Sequence, residues 1–305
     1  MIVDEAMDPA ALGELLDRER RRVDQELEAI GEAVSGVVAP TLVEAVSYAL
    51  STSGKRIRPI LCVAAYRTVG REASAPIYRL AAALEIVHTY SLVHDDLPCM
   101  DDDDLRRGRP TVHRVFGAPG AALAGAALLP LAVRVMDQGA RDLGIDTALR
   151  GTLIAELCRA AGAAGMVGGQ LRDLEGERTV VDGEGLEAIH RAKTGALLAA
   201  SLRIGCIAGG GTARTLASLT AYGAALGLAF QITDDVLDVV GDEERLGKAA
   251  GRDQDLRKAS YPALFGLDGA RSLARARADE AKAALAGIHS AELAALADYV
   301  VERER

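Results

Sequence analysis

Two groups of aspartates, each at the polar end of a long apolar segment, constrain the fold of this chain more than any other feature. The nine residues, in chain order, are Asp95, Asp96, Asp101, Asp102, Asp103, Asp104, Asp234, Asp235 and Asp238. Carboxylates so close together repel one another, and burial strengthens the repulsion. A cation must therefore neutralise each group, and hard divalent ions, which prefer oxygen ligands, are suited to this task.

The composition indicates a helical protein. Half of the 305 residues are hydrophobic, aromatic residues make up 3%, and alternating β-branched segments are scarce, all of which favours helices. We therefore predict an all-α fold, a large helical bundle around a central apolar cavity, with residues 1–305 as a single domain.

Helix start and stop signals delimit the expected elements. Helices are expected at about 9–30, 41–50, 60–69, 76–96, 120–139, 146–174, 186–208, 212–240 and from 270 to the end, with a polar loop at 101–117. The longest apolar stretch, Ala118–Met136, contains Pro119, Pro130 and Arg134. These interruptions favour a buried helix over a membrane span.

Charge and cysteine usage exclude some classes of function. The formal net charge of -9 argues against nucleic-acid binding. Basic residues are still concentrated at Lys55–Arg58 and Arg106–Arg109, which suits a small anionic ligand. The four cysteines form no CxxC pair and the segment after Met1 has no signal-peptide pattern, so we expect a reduced, cytoplasmic protein.

The spacing within the first aspartate group requires a helix to end inside it. Asp95 and Asp101 would lie about 120° apart around a continuous helix. They converge if the helix stops between them, and Leu97-Pro98 provides the stop. His88 lies seven residues before Asp95, on the same helix face. The alternatives are an acidic surface loop or a calcium-binding loop, although the spacing does not match an EF-hand.

The second group lies within a predicted helix. Asp234 and Asp238 are one turn apart and share a face, and Gln231 lies one turn before Asp235. The alternative is a solvated acidic helix end, which the apolar segment Ala224–Phe230 just before it disfavours. Two such groups facing each other across an apolar cavity suit Mg²⁺ and an apolar diphosphate, because Mg²⁺ usually shares its coordination with phosphates.

Five motifs, in order, resemble those of trans-isoprenyl diphosphate synthases. His88–Thr111 resembles their first aspartate-rich motif and Gln231–Asp238 their second. The three further motifs are Gly54–Pro59, Gly165–Gln170 and Lys193–Gly195, and the tail segments Leu246–Lys248 and Lys258–Pro262 also fit. The insertion Leu97-Pro98 resembles the bacterial farnesyl diphosphate synthase type, which plant geranylgeranyl enzymes share.

This resemblance implies a prenyltransferase. Such an enzyme condenses isopentenyl diphosphate with dimethylallyl or geranyl diphosphate to farnesyl diphosphate, by Mg²⁺-assisted ionisation, condensation and elimination. The resemblance also implies a homodimer and about three Mg²⁺ ions per active site. The implied principal metal ligands are Asp95, Asp101 and Asp234, supported by Asp96, Asp235 and Asp238.

The resemblance further assigns the substrate-binding residues. The positions implied for the allylic diphosphate are Arg106, Lys193 and Lys248, and those for isopentenyl diphosphate are Lys55, Arg58, His88 and Arg107. The arginines among these residues suit diphosphate binding because their planar fork matches phosphate oxygens. Lys193, Thr194 and Gln231 are implied to act at the reacting centre. No general base is apparent, and released diphosphate is expected to take the proton.

The resemblance also suggests what limits product length. Tyr90 lies five residues before Asp95, about one and a half turns deeper, and an aromatic residue there favours the C15 product. Ser91 is too small to stop a C10 chain, and geranylgeranyl diphosphate remains an alternative product. The chain departs from the family at Ser53, where glycine is usual and little effect is expected, and at Ala126, where the usual aspartate is lost and helix packing is expected to change.

Three other functions compete with this interpretation. A class I terpene cyclase would share the helical fold, but two aspartate motifs with a separate basic pocket, and few aromatic residues, argue against it. A non-catalytic partner subunit need not keep both motifs. A simple divalent-ion binding module would not explain Lys55, Arg58, Lys193 and Lys248.

Overall fold

A computed structural model describes residues 7–34, 39–176, 181–240 and 259–303. Over these residues the helices are α1 Pro9–Val34, α2 Pro40–Leu50, α3 Ile57–Thr68, α4 Ala75–Asp95, α5 Val112–Asp142, α6 Thr147–Ala161, α7 Met166–Gly176, α8 Gly183–His190, α9 Ala196–Ala208, α10 Ala213–Val240, α11 Tyr261–Ala284 and α12 Ala291–Glu302. A π-helical turn, Arg191–Gly195, joins α8 to α9, and strands β1 Leu105–Arg106 and β2 Arg109–Pro110 form an antiparallel hairpin. The predicted all-α fold is confirmed.

The helices pack so that α4 and α10, which carry the two aspartate groups, lie in the interior of the bundle. Helix α4 packs against α3 and α5, α3 packs against α9, and α10 packs against α9 and α11. The segment Leu80–Val87 of α4 is buried on every face. Such a helix owes its stability to burial rather than to one amphipathic stripe. The first aspartate group therefore begins where the buried helix α4 ends, whereas the second lies within α10, next to the buried Val236.

Several predicted boundaries are wrong. The expected loop at 101–117 contains the β1–β2 hairpin, and α5 starts at Val112 before a kink at Gly117, whose φ is 75°. The expected helix at 146–174 is two helices, because the chain turns after Ala161, and α11 starts at Tyr261 rather than near 270. The break at Gly209–Gly211 is confirmed between α9 and α10.

Helix α5 is less buried than predicted. It packs on α4, yet only 28% of its most apolar window is buried. Within the described residues, α5 and α10 are both long and apolar enough to cross a membrane by length and composition. Both pack against other helices of the bundle. The exposed face of α5 is an apolar surface that no other described residue covers.

Candidate active site

A cavity of about 510 Å³ lies between α3, α4, α7, the π-helical turn and α10. It brings together many of the residues that the sequence singled out: Arg58, His88, Tyr90, Ser91, Asp95, Lys193, Thr194, Gln231 and Asp234. Seven predicted residues are described but do not line it: Lys55, Asp96, Asp101, Arg106, Arg107, Asp235 and Asp238. Lys248 lies outside the described residues. The two aspartate groups thus contribute one carboxylate each to a single cavity.

The first aspartate group folds back on the end of α4, as predicted. Helix α4 ends at Asp95, and the backbone N–H of Asp101 donates to the Asp95 carbonyl oxygen at 2.9 Å. Asp102 takes a left-handed conformation, with φ 49°, and its N–H donates to the Leu97 carbonyl oxygen. Burial raises the pKa of Asp95 to about 6, an effect that the nearby Lys193 ammonium opposes. A cation near Asp95 therefore stabilises its charged form.

Asp96 and Arg106 pair with each other. Arg106 donates to Asp96 Oδ1 from Nε at 2.9 Å and from Nη2 at 2.5 Å, and to Asp103 Oδ2 at 2.7 Å. Burial raises the pKa of Asp96 to about 6 despite this partner. The sequence did not single out Asp103 as the partner of a basic residue. In this conformation Arg106 is held beside the cavity rather than within it.

Asp234 is held by an arginine from the far end of the chain. Arg303 Nη2 donates to Asp234 Oδ1 at 2.6 Å and to the Phe230 carbonyl oxygen at 3.1 Å. Its guanidinium carbon lies 3.9 Å from the centre of the Phe230 ring, and its side chain is 4% exposed. Nothing in the sequence pattern predicted this residue. The Arg303 guanidinium therefore already pairs with one oxygen of Asp234, a carboxylate that was predicted to bind metal.

Asp235 faces away from the cavity and orients Gln231. The Gln231 amide donates to Asp235 Oδ1 at 3.1 Å, and the Tyr261 backbone N–H donates to Oδ2 at 3.0 Å. The Thr194 hydroxyl donates to Gln231 Oε1 at 2.7 Å. This chain of hydrogen bonds fixes which oxygen dipoles Thr194 and Gln231 present at the cavity wall. Asp238 is likewise buried, away from the cavity.

Lys193 is a partly buried cation at the cavity wall. Its Nζ donates to Asp173 Oδ2 at 2.5 Å. Burial alone would lower the pKa of Lys193, but the carboxylates of Asp173 and Asp95 outweigh burial and raise it above its usual value. Lys193 therefore stays charged at neutral pH and can bind an anion. Asp173, on α7, was not singled out from the sequence.

A second basic region lies behind Arg58. The Arg58 side chain is buried, and its Nε has no hydrogen-bond partner among the described residues. Burial, together with Arg107, lowers the pKa of Arg58 to about 10, although Glu85 opposes the shift. Burial first, and then the charges of Arg58 and Arg107, hold the pKa of His88 well below its usual value. Such a group of buried positive charges, with an orphaned donor, favours a bound anion.

Close backbone approach positions Arg107 in this region. Its Nη1 donates to the Ser53 carbonyl oxygen at 2.6 Å. A side chain at Gly54 would place its Cβ 2.5 Å from the same nitrogen, so it would displace the Arg107 guanidinium from this position. Ser53 contributes its backbone carbonyl group to this contact, which a glycine at the same position would also provide. Lys55 follows directly in the turn before α3.

A buried carboxylate, missed from the sequence, balances these cations. Glu85 on α4 accepts from Arg56 Nη1 at 2.7 Å and lies 4.0 Å from Arg107. Arg56, at φ 53°, also donates to Asp24 on α1 at 2.8 Å. Arg56 is thus neutralised by protein groups, which leaves Arg58 and Arg107 as the cations open to a ligand.

The chemistry of the cavity follows from these contacts. Acidic and basic groups gather at the end of α4, while α7 contributes the apolar residues Met166, Val167, Leu171 and Leu174. No three His, Cys, Asp or Glu side chains among the described residues lie close enough together to form a complete metal site. Mg²⁺ fits such a place because it keeps several waters and takes few protein ligands. The arrangement suits a ligand with an anionic head and an apolar chain.

Comparison with known proteins agrees with this geometry. Residues 39–296 match the family model for polyprenyl synthetase. The chain is 42% identical to a farnesyl diphosphate synthase from Geobacillus stearothermophilus, over 95% of this chain and 97% of that one. It is 46% identical to geranylgeranyl pyrophosphate synthase 9 of Arabidopsis thaliana, over 86% and 74% of the two chains. A crystal structure of a Helicobacter pylori geranyltransferase complexed with magnesium and isoprenyl diphosphate has a TM-score of 0.78, with 30% identity over 93% of this chain and 96% of that one.

Proposed function

The chain belongs to the polyprenyl synthetase family, and we propose that it condenses isopentenyl diphosphate with dimethylallyl or geranyl diphosphate to farnesyl diphosphate. The observation that carries this proposal is the shared cavity, in which Asp95 and Asp234 meet Lys193 beside an apolar wall. The family includes enzymes with this activity. The cyclase and the simple ion-binding module give no account of the second, buried basic region around Arg58.

We propose Mg²⁺ as the cofactor, about three ions per active site. The proposed ligands are Asp95, Asp101 and Asp234, with Asp96, Asp235 and Asp238 in supporting positions. Their oxygen donors suit Mg²⁺, and Arg303 on Asp234 and Lys193 near Asp95 show that these carboxylates attract positive charge. When bound, the metal neutralises the negative charge that develops on the leaving diphosphate. Asp235 is the weakest candidate, because both its oxygens already accept hydrogen bonds.

The remaining steps fall to the side chains of this protein. We assign the allylic diphosphate to Lys193, Arg106 and Lys248, and isopentenyl diphosphate to Lys55, Arg58, His88 and Arg107. Lys193 supplies a fixed positive charge at the departing group, while the orphaned Nε of Arg58 awaits an anion. Ionisation leaves an allylic carbocation, and we place it near the linked oxygens of Thr194 and Gln231. These oxygens stabilise positive charge without being strong nucleophiles. The departing diphosphate accepts the proton that is lost in the final step.

Product analysis tests this function directly. Purified protein with Mg²⁺ and labelled isopentenyl diphosphate is incubated with dimethylallyl or geranyl diphosphate, and the dephosphorylated products are sized. A C15 alcohol is the expected result. A C20 alcohol would instead support the second candidate, geranylgeranyl diphosphate synthase, which the similarity to the plant enzyme favours. Folded protein that yields no product would overturn the proposal in favour of a non-catalytic partner subunit.

Replacing Tyr90 with alanine is expected to lengthen the product. Tyr90 lines the cavity, so removing its ring opens the space into which the growing chain extends. We expect C20 or longer alcohols to become the major products, as measured by chromatography after exhaustive incubation. The matched control is Tyr299→Ala, a half-buried tyrosine on α12. An unchanged product spectrum would discard the assignment of Tyr90 as the floor.

We propose that the exposed face of α5 pairs with a second copy of the chain. After its kink, α5 exposes an apolar stripe at helical spacing, formed by Pro119, Leu123, Ala126 and Pro130. Leu123 is 63% exposed, and exposed apolar surface of this kind marks interaction sites. The expectation that Ala126 alters packing within the chain is wrong, because its side chain is exposed. It lies instead within the proposed interface.

Replacing Leu123 with arginine is expected to dissociate the dimer. An unpaired charge at the centre of an apolar interface should weaken association at least about 100-fold, or about 3 kcal/mol. Sedimentation velocity across a dilution series measures the effect. Leu264→Arg is the matched control, since Leu264 is 41% exposed but lies on α11. Equal dissociation constants for the two variants would place the interface elsewhere.

We propose that residues 1–305 form one domain, because α3, α9 and α10 connect the apolar clusters of the bundle. We also propose a cytoplasmic location, consistent with four unpaired cysteines. The proposed partners of the protein are the two diphosphate substrates and a second copy of the chain, and we propose no nucleic-acid partner.

A further inference from the structure

The end of the cavity contains a histidine that the proposed function does not use. His94 lies on α4 one turn after Tyr90, and both residues line the cavity. Their rings meet edge to face, with centroids 4.7 Å apart and planes at 63°. This is a favourable aromatic arrangement. The position of one ring therefore depends on the position of the other.

His94 is in turn fixed to α5. Its Nε2 lies 3.1 Å from the Ala122 carbonyl oxygen, and because a carbonyl group only accepts, the imidazole N–H donates. A Cβ at Gly125 would lie 2.3 Å from both Cδ2 and Nε2 of His94. The imidazole thus occupies the space that a side chain on α5 would otherwise fill. The hydrogen bond to Ala122 and the space left by the missing side chain of Gly125 hold the ring between α4 and α5.

This contact has a consequence for the length of the cavity. Tyr90 is half-buried and contacts both the cavity and the His94 ring, which lines the cavity beside it. Without the imidazole, the space beside Gly125 is empty, and the tyrosine ring can turn into it. The cavity would then extend toward α5 even though Tyr90 is still present.

We propose that His94 is a specificity-determining positioning residue, which holds the Tyr90 ring across the end of the cavity and so limits product length. The inference rests on the proposed condensation activity and deepens it. It assigns the limit to a pair of rings anchored on α5 rather than to Tyr90 alone. His94 itself need not touch the growing chain.

Product length in His94→Ala tests this proposal. With geranyl and isopentenyl diphosphates, we expect the ratio of C20 to C15 product to rise about tenfold, the effect of one edge-to-face contact and one hydrogen bond. In a Tyr90→Ala background the same replacement should add little, because His94 acts through Tyr90. His289→Ala, at an exposed position distant in sequence, is the control for loss of an imidazole.

Gly125→Ala tests the same contact from α5, with the opposite sign. The added methyl group must push the imidazole away from α5 and toward Tyr90. The cavity should then narrow, so that with dimethylallyl and isopentenyl diphosphates C10 product accumulates, and the ratio of C20 to C15 product falls below that of the unmodified protein. A rise in that ratio would contradict the proposed geometry.

The outcomes separate the inference from the function on which it rests. If the unmodified protein forms no condensation product, the proposed function fails. If it forms product, and folded His94→Ala gives the same spectrum, the inference alone is overturned. Should His94→Ala not fold by circular dichroism, His94→Gln replaces it, since glutamine keeps an N–H donor but lacks the ring. Longer products from His94→Gln support the proposal, and an unchanged spectrum overturns it.

Discussion

Replacing Asp95 with asparagine is expected to lower kcat for condensation by about 10³-fold, or about 4 kcal/mol of transition-state stabilisation. Asp95 ends the buried helix α4 and lines the cavity that also contains Lys193 and Asp234. Asparagine keeps the size of the side chain but removes the charge that would hold a metal ion. Lys193 keeps its ion pair with Asp173, so the loss is specific to the carboxylate.

A second carboxylate in the same motif provides the control. Asp104 has a side chain 64% exposed and pairs with Arg114 at 2.9 Å on the surface. Asp104→Asn should therefore change kcat by less than about threefold, because exposed ion pairs contribute little. Steady-state rates at saturating Mg²⁺ measure both variants. If Asp95→Asn keeps more than a tenth of the unmodified rate, Asp95 is not a principal metal ligand.

The end of α4 could be predicted because its cause is local. Proline at position 98 stops the helix, and the chain then returns Asp101 to the backbone of Asp95. Helical spacing also placed His88 on the Asp95 face of α4, whereas Tyr90 was assigned to the cavity by the resemblance, and both residues line it. The orientation of Asp235 could not be predicted in this way. Adjacent residues on a helix point about 100° apart, so Asp234 and Asp235 cannot both face the cavity in the same manner. Which of Asp234 and Asp235 faces the cavity depends on where α11 packs.

The ionic partners of the site could not be predicted, because they join distant parts of the chain. Arg303 meets Asp234 across 69 positions, and Arg56 meets Glu85 across 29. No periodicity or capping signal encodes such pairs, since they exist only once the helices have packed. Arg106 illustrates the same limit, because its basic character was evident but its pairing with Asp96 was not.

The second large effect is expected in stability, from replacing Glu85 with glutamine. Glu85 and Arg56 are 2% and 3% exposed and lie 2.7 Å apart, with Arg107 at 4.0 Å. Removing the buried partner of an ion pair costs about 3 kcal/mol, even though Arg56 keeps its partly exposed partner Asp24 at 2.8 Å. We therefore expect the free energy of unfolding to fall by about that amount, as measured by urea denaturation without ligand.

A bound anion should recover part of this loss. Glu85 also acts on Arg58 and Arg107, which belong to the basic region that we assign to isopentenyl diphosphate and which lose this nearby carboxylate in the variant. Inorganic diphosphate should therefore bind Glu85→Gln more tightly than the unmodified protein, and stabilise it more at equal concentration.

The control for this anion effect is Glu292→Gln. Glu292, on α12, pairs with Arg67 of α3 at 3.0 Å, and neither residue lines the cavity. Diphosphate should not stabilise Glu292→Gln beyond its effect on the unmodified protein. Equal recovery in both variants would show that the anion acts on the whole protein. If diphosphate restores the free energy of unfolding in Glu85→Gln alone, the Glu85 carboxylate and the substrate anion neutralise the same positive charges.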